Sequence, residues 1–178
     1  MSASNERVMV FIDGSNMYHA IRAYSRKNKR YYKIDYVKLR DVLLQNRHLI
    51  RAYFFCSYDP KAKPVKFYDY LTSNGFEVVA KPLRTRQIGE KSLRTEKGVD
   101  VALAVKMLSL AYENAYDTAI LVSGDSDYVE AVSLVKDKGK RVEIAAFRGT
   151  INREFRQLAD RFTYLDDLAD QILKTEEV

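Results

Sequence analysis

Cysteine, histidine and proline are scarce in this sequence, and each shortage excludes something. The single cysteine, Cys56, rules out an intrachain disulfide and a cysteine-rich structural zinc site. With two histidines, His19 and His48, a histidine-based zinc site is also disfavoured. None of the three prolines opens a linker, so we expect residues 1–178 to form one domain.

Long apolar runs are absent as well. No run approaches the ~20 residues that a membrane-spanning helix needs. The first ten residues, MSASNERVMV, lack the apolar core of a signal peptide. We therefore expect a cytoplasmic protein that has no membrane partner.

Positive charge is in excess and is concentrated in two segments. The chain has 30 basic and 24 acidic residues, a net charge of +6. Residues 22–40 contain eight basic residues against one acid, and residues 81–97 contain six against two. Such segments suit the phosphates of a nucleic acid. The predicted nucleic-acid contacts are Arg26, Lys27, Lys29, Arg30, Arg84, Arg86, Lys91, Arg94 and Lys97.

Strand and helix patterns alternate along the chain. Apolar runs predict strands at 8–12, 48–58, 76–83, 118–123 and 141–147, with an edge strand at 162–165. Helical patterns are found at 14–24, 35–44, 65–74, 99–111, 126–138, 151–159 and 168–173, whereas 25–32 and 84–97 are polar and predicted as loops. This alternation predicts an α/β fold with a mostly parallel sheet and helices on both faces.

Four aspartates follow the ends of predicted strands. Asp13 ends the first strand, Asp125 and Asp127 follow the fourth, and Asp100 opens the helix after the third. Open parallel sheets bind ligands beyond the carboxyl ends of their strands, so we expect one shared acidic site. Oxygen-only ligands suit Mg²⁺ or Mn²⁺, and such ions can promote in-line displacement at a phosphodiester. All four aspartates are predicted metal ligands and catalytic residues.

Each aspartate also has a purely structural interpretation. Asp13 and Asp125 can cap helices, and Asp127 with Glu130 can form a capping box. Asp100, in a first helical turn, can complement the helix dipole. Against this, one cap does not need two aspartates. Residues 99–111 are apolar nearly all round, which predicts a helix buried on most sides, and an unpaired carboxylate on such a helix is costly to bury.

Several neighbouring residues are predicted to assist. Asn16 can orient a carboxylate or a metal-bound water, and Ser123 can donate a hydrogen bond to an aspartate or a phosphate. The alternative for Asn16 is a solvated helix residue, and the alternative for Ser123 is a residue that only shapes the turn. Four tyrosines near the site or the basic segments are candidates for base stacking, with packing as the alternative: Tyr18, Tyr31, Tyr32 and Tyr128.

Three segments resemble the motifs of the NYN domain, a family of the PIN-like nucleases, and its LabA-like branch is the most similar. They are VFIDGSN at 10–16, KGVDVALA at 97–104 and LVSGDSDYVEAV at 121–132. Similarity spans residues 7 to about 147, so segment 84–97 lies between motifs and the short helices at 151–175 lie beyond them. The resemblance implies a Rossmann-like PIN fold and metal-dependent RNA cleavage. The acidic positions of the family match Asp13, Asp100, Asp125 and Asp127, with Asn16 and Ser123 as accessory polar residues.

Three functional hypotheses follow. The leading one is a Mg²⁺- or Mn²⁺-dependent ribonuclease acting on single-stranded or structured RNA. The second is a non-catalytic RNA-binding or regulatory module that retains the acidic cleft. The third is a phospho-receiver or phosphatase domain, although Asp13-Gly14-Ser15 lacks the second aspartate of a haloacid-dehalogenase-type nucleophile motif. The acidic C-terminal tail offers one way for two copies to form a homodimer.

Overall fold

The computed structural model describes residues 5–88, 91–95 and 98–175, and at 85–88 and 91–95 it describes the backbone alone. In chain order the strands are β1 (Arg7–Asp13), β2 (Tyr32–Ile34), β3 (His48–Tyr58), β4 (Phe76–Pro82), β5 (Arg84–Ile88), β6 (Lys91–Thr95), β7 (Thr118–Val122), β8 (Arg141–Ala146), β9 (Arg161–Tyr164) and β10 (Leu173–Thr175). The α-helices are α1 (Gly14–Lys27), α2 (Tyr36–Leu44), α3 (Val65–Ser73), α4 (Val99–Tyr112), α5 (Val129–Asp137), α6 (Arg153–Leu158) and α7 (Ala169–Ile172). Short 3-10 turns, Ser126–Tyr128 and Leu165–Leu168, precede α5 and α7.

A parallel sheet forms the centre of the described chain. Its six strands lie in the order β4-β3-β1-β7-β8-β9, and each neighbouring pair is parallel. β1 lies inside the sheet and is buried from Val8 to Asp13, as its unbroken apolar run requires. The predicted α/β fold with a mostly parallel sheet is confirmed.

Helices cover both faces of this sheet, as predicted. One core packs α1, α2, α3 and α7 against the sheet, and it includes Met17, Leu39, Leu71 and Ile172. The other core packs α4, α5 and α6, and it includes Leu103, Val132 and Phe155. Because β1 contributes alternate side chains to both cores, the residue that ends β1 is fixed from two sides.

The two stretches predicted as loops contain regular structure. α1 continues to Lys27, where the basic side chains of Arg26 and Lys27 suit the negative end of the helix dipole. Residues Tyr32–Ile34 pair antiparallel with Leu173–Thr175. β5 and β6 form an antiparallel pair within 84–97. Backbone hydrogen bonds, which any residue can make, hold these pairs together. The side-chain pattern of these polar segments therefore did not predict the strands.

The prediction that helix 99–111 is buried on most sides is wrong. Val101 and Val105 are each 59% exposed, and Asp100 is exposed as well. The helix buries a single stripe at every fourth position: Val99, Leu103, Met107 and Ala111. The argument that Asp100 would be an unpaired buried carboxylate therefore fails, and any role for it must come from its position.

Candidate functional site

Asp13 is the buried centre of a hydrogen-bond network at the carboxyl end of β1. One carboxylate oxygen accepts from the backbone N–H of Asn16 at 2.9 Å, which caps α1. The other oxygen accepts from the Ser123 hydroxyl and from the Tyr128 hydroxyl, each at 3.1 Å. The helix-cap interpretation of Asp13 is therefore correct, but capping uses one of its two oxygens.

The loop after β7 folds around the same network. Ile12 pairs with Val122, so Ser123 follows directly beside Asp13. The Ser123 oxygen accepts from the backbone N–H of Asp125 at 3.1 Å, and an Asp125 oxygen accepts from the N–H of Asp127 at 3.0 Å. Asp125 thus caps the 3-10 turn with its carboxylate.

Asn16 joins α1 to that loop. Its side-chain oxygen accepts from the backbone N–H of Gly124 at 3.1 Å, across 108 residues of sequence. Asn16 and Ser123 were predicted as accessory polar residues, and each contacts the acidic segments through a hydrogen bond. Their predicted action on a metal or a phosphate stays a prediction.

Two glycines permit these segments to approach each other. A Cβ on Gly14 would lie 2.8 Å from the backbone oxygen of Phe55 and 2.5 Å from the Phe54 ring. A Cβ on Gly124 would lie 2.3 Å from the backbone oxygen of Thr150. All three distances are shorter than van der Waals contact allows, so any larger residue would push these loops apart.

The electrostatics of Asp13 are those of a desolvated carboxylate. Burial raises the pKa of Asp13, and the three hydrogen bonds that it accepts offset part of that effect. The negative charge of Asp125 raises the pKa of Asp13 further. Burial likewise raises the pKa of Tyr128, so its hydroxyl stays protonated and donates to Asp13.

Three of the four predicted aspartates line one cleft of about 270 Å³. Its lining residues are Asp13, Ser15, Asn16, His19, Gly98, Val99, Asp100 and Asp125. Asp127 is exposed, and among the described residues it is not part of this lining. The strand-end argument thus brings Asp13, Asp100 and Asp125 to one cleft, with Asp127 beside it through its backbone bond to Asp125.

The cleft carboxylates have the donor chemistry for Mg²⁺ or Mn²⁺, because they offer oxygen alone. In the described part of the chain, none of the four aspartates forms an ion pair with a basic side chain. Among those same residues, no three histidine, cysteine or carboxylate side chains lie close enough to one another to bind one ion jointly. The donors therefore fit such an ion in kind, and Asp13, Asp100 and Asp125 would have to move closer together to share one.

The predicted nucleic-acid contacts divide into two groups. Arg26, Lys27, Lys29 and Arg30 are exposed at the end of α1 and just after it. Arg84 is exposed at the start of β5. Arg86, Lys91 and Arg94 belong to the β5–β6 pair, where the side chains are not described, and Lys97 lies outside the described residues. Their role in binding stays a prediction.

Three residues of the site gained their roles from the structure. Tyr128, considered for base stacking, is buried and holds Asp13. His19, noted in the sequence only as one of two histidines, is exposed and lines the cleft. Lys81 donates from its ammonium group to the backbone oxygen of Gly98 at 2.7 Å and so fixes the start of α4. One sequence signal was available, since Lys81 lies near the end of a predicted strand.

Among the helices of the described residues, none has the length and apolar character needed to cross a membrane.

Two known proteins are similar to this chain over nearly its whole length. The chain is 28% identical to the low amplitude and bright protein LabA of Synechococcus elongatus, over 99% of this chain and 92% of that protein. A Vibrio parahaemolyticus protein of unknown function has a crystal structure that matches with a TM-score of 0.74, at 24% identity, covering 97% of this chain and 99% of the other. That structure supports the fold alone.

A sequence model of the NYN domain matches residues 7–166 and so includes all three acidic segments. NYN domains are in general PIN-like nucleases, which supports a nuclease-like, RNA-related function at a coarse level. The match also extends past residue 147, into the C-terminal part that the three motifs did not cover. The chain therefore belongs to the NYN domain family, and it is similar to LabA over nearly its whole length.

Proposed function

We propose that this protein is a metal-dependent ribonuclease that hydrolyses RNA phosphodiester bonds at the acidic cleft. The observation that carries the proposal is the set of cleft carboxylates without basic partners: Asp13, Asp100 and Asp125. Like charges held together cost free energy, and a divalent cation relieves that cost. Membership in the NYN family supports the choice of RNA as the substrate.

The chain's own residues would divide the work. Asp13, Asp100 and Asp125 would hold Mg²⁺ or Mn²⁺, and Asp127 is the fourth candidate ligand at the rim. Such an ion, when bound, supplies Lewis-acid stabilisation of the phosphoryl oxygens and lowers the pKa of an attacking water. Ser123 and Tyr128 donate hydrogen bonds to one oxygen of Asp13 and so fix the orientation of its carboxylate. The lone pairs that accept no hydrogen bond would be available to the ion. Asn16 keeps the loop after β7 in place against α1.

Two groups of positive residues would hold the RNA backbone. Arg26, Lys27, Lys29 and Arg30 form one exposed group, and Arg84 with Arg86, Lys91, Arg94 and Lys97 is proposed as a second. Because such contacts release counterions, the logarithm of the RNA affinity should fall linearly with the logarithm of the salt concentration. We also propose that residues 1–178 act as one domain. A homodimer stays a prediction.

The test is cleavage of a mixed panel of single-stranded and hairpin RNAs by purified full-length protein with Mn²⁺. We expect cleavage that stops on adding EDTA and that falls by ~100-fold or more in Asp125→Asn, since a metal supplies several kcal/mol of transition-state stabilisation. The matched control is Asp137→Asn, which changes an exposed aspartate near the end of α5. Equal cleavage by wild type, Asp125→Asn and Asp137→Asn would show a contaminating nuclease and reject the proposal.

A second candidate is a non-catalytic RNA-binding or regulatory module that keeps the acidic cleft. The observation that favours it is that the described residues contain no ready group of three metal-ligating side chains. This candidate predicts salt-sensitive RNA binding with no cleavage under any metal. Charge reversal at Arg26 and Arg30 should then weaken binding while the RNA stays intact.

A further inference from the structure

The exposed face of α1 carries an aromatic and cationic cluster that the proposed hydrolysis does not use. Its members are Tyr18, His19 and Arg22. Tyr18 is 54% exposed, although the opposite face of the same helix buries Met17, Ala20 and Ile21 in the core. A tyrosine that contributes little to the core is available for another role.

Neighbouring side chains hold the Tyr18 ring in place. The Arg22 guanidinium lies 5.4 Å from the ring centroid and donates a hydrogen bond to the Tyr18 hydroxyl at 3.0 Å. The His19 ring stands edge-on to Tyr18, with ring centroids 5.5 Å apart and planes at 74°. A ring fixed in this way loses little conformational freedom on binding a flat partner.

This cluster is continuous with the cleft. His19 is itself a lining residue of the cleft, beside Asp13 and Asn16. Ser15, His19, Arg22 and Arg26 are three or four residues apart, so they form one stripe along the helix surface. α1 contains no acidic residue, so the stripe leads from the cleft to the exposed basic residues at 26–30 without a negative charge on the helix.

We propose that Tyr18, with His19 and Arg22, is a stacking platform for an unpaired base, and that the substrate is therefore single-stranded RNA. The inference rests on the proposed function and names the form of RNA that this site takes. Inside a duplex each base has both faces covered by its neighbours, whereas an unpaired base offers a free face to an aromatic ring. Arg22 and Arg26 would contact the phosphates that follow the stacked base.

The lack of tryptophan in this chain makes a direct test available. Tyr18→Trp places the chain's single tryptophan on the platform, where it can be excited apart from the tyrosines, and Tyr112→Trp places one at a matched control position. Tyr112 is 61% exposed and also has a cation near its ring, with the Lys138 ammonium 4.0 Å from the centroid, but it ends α4 whereas the cleft lies at the start of that helix. Titration uses a short single-stranded RNA and a blunt duplex of the same sequence, in EDTA to prevent cleavage.

We expect the single strand to change the fluorescence of Tyr18→Trp strongly and that of Tyr112→Trp little, with a weaker response to the duplex. Tyr18→Ala should weaken single-strand binding roughly 5- to 150-fold, the loss of one stacked base. Tyr18→Phe keeps the ring and should bind nearly as wild type does, while Tyr112→Ala should have no effect.

The platform is rejected if Tyr18→Ala binds the single strand as tightly as wild type, or if Tyr18→Trp does not respond to saturating RNA. It is also rejected if the protein binds duplex and single strand with equal affinity and Tyr18→Ala lowers both affinities by the same factor. Under these outcomes metal-dependent cleavage by the wild type can persist, so the proposed function would stand alone. A wild type that neither binds nor cleaves RNA would reject both.

Discussion

Two carboxylates near the amino end of the central sheet differ from Asp13, which lies at the carboxyl end of β1. At the amino end, carboxylates have basic partners: Arg7 pairs with Asp117 at 2.7 Å, and Arg47 holds both oxygens of Glu143 at 2.8 and 2.9 Å. At the carboxyl end, Asp13 accepts hydrogen bonds from neutral donors alone among the described residues. Asp117 and Glu143 are therefore closed ion-pair partners, whereas Asp13 is an open acceptor.

The pKa shifts have opposite signs for the same reason. The hydrogen bond from the Arg7 side chain holds the pKa of Asp117 below its ordinary value, whereas burial raises the pKa of Asp13. An ionised Asp13 is consequently a cost to the fold at neutral pH. A site that keeps such a cost and gathers further carboxylates beside it fits a role in binding a cation, because structure alone would favour a paired or neutral residue.

The largest effect should come from breaking the amino-end pair. Arg47→Met leaves Glu143 buried without its partner, and we expect the free energy of unfolding to fall by about 3–5 kcal/mol in urea titrations. Arg51→Met is the control, because Arg51 and Glu77 are 55% and 43% exposed and 3.7 Å apart, and it should cost roughly 0–1 kcal/mol. Similar losses in the two variants would show that the Arg47 pair is no more than a surface pair.

The carboxyl end should respond to metal where the amino end does not. Mn²⁺ at about 100 times its dissociation constant should raise the free energy of unfolding by about 2.7 kcal/mol through linkage. Asp100→Asn and Asp125→Asn should abolish that gain, and Asp117→Asn should keep it. Thermal melts with and without EDTA measure the difference. An unchanged gain in Asp125→Asn would place the ion elsewhere.

Glycines at the two ends should respond differently to a methyl group. Gly124→Ala collides with Thr150 and should cost about 1–3 kcal/mol, and it should also weaken Mn²⁺ stabilisation because the loop must move. Gly139, after α5, has a φ of +75° and no atom within 4 Å of the position that a Cβ would take, so Gly139→Ala should cost about 1–2 kcal/mol from backbone strain. The metal response is the informative readout. Equal Mn²⁺ stabilisation of the two variants would show that the position of the Gly124 loop does not affect metal binding.

The smallest effect concerns Asp13 in the metal-free protein. Asp13→Asn removes the desolvated charge while the Ser123 and Tyr128 hydroxyls can rotate to accept from the new amide, so stability at pH 7 should rise. A raised pKa means that the folded state binds more protons than the unfolded state as pH rises above 3.8. Wild-type stability therefore falls with rising pH through that window, and the advantage of Asp13→Asn should grow there and then level off.

Chemical denaturation in EDTA at a series of pH values checks this sign. The control is Asp117→Asn, because the pKa of Asp117 is lowered and its carboxylate stabilises the fold once ionised. That variant should lose stability relative to wild type as pH rises. Parallel pH curves for the two variants would mean that the two ends of the sheet do not differ electrostatically.

Much of the fold followed from the sequence pattern. The unbroken apolar run at 8–12 predicted a strand buried on both faces, and β1 lies inside the sheet. The helical pattern predicted at 35–44 begins at Asp35, whose side chain caps α2 by accepting from the backbone N–H of Lys38 at 3.2 Å. Local chemistry decides such features, so they are legible in a few adjacent residues.

Features that depend on distant partners were not legible. β2 is three residues long and pairs with β10, which lies more than 130 residues later. The exposure of Val101 and Val105 was missed because the helix is apolar on most sides, and only packing shows which stripe meets the sheet. Tyr128 gained its role when the 3-10 turn brought its hydroxyl to Asp13.

For the acidic site, the sequence by itself determined that aspartates follow strands, because apolar runs that end in Asp13 and Asp125 are local facts. Their order along parallel strands was enough to expect them at one edge of the sheet. Only the tertiary structure decided that Asp13 is buried and raised in pKa, that Asp100 and Asp125 face the same cleft, and that Asp127 lies outside its lining. The environment of Asp13 depends on Ser123 and Tyr128, which lie more than a hundred residues away, and a linear pattern does not contain such contacts.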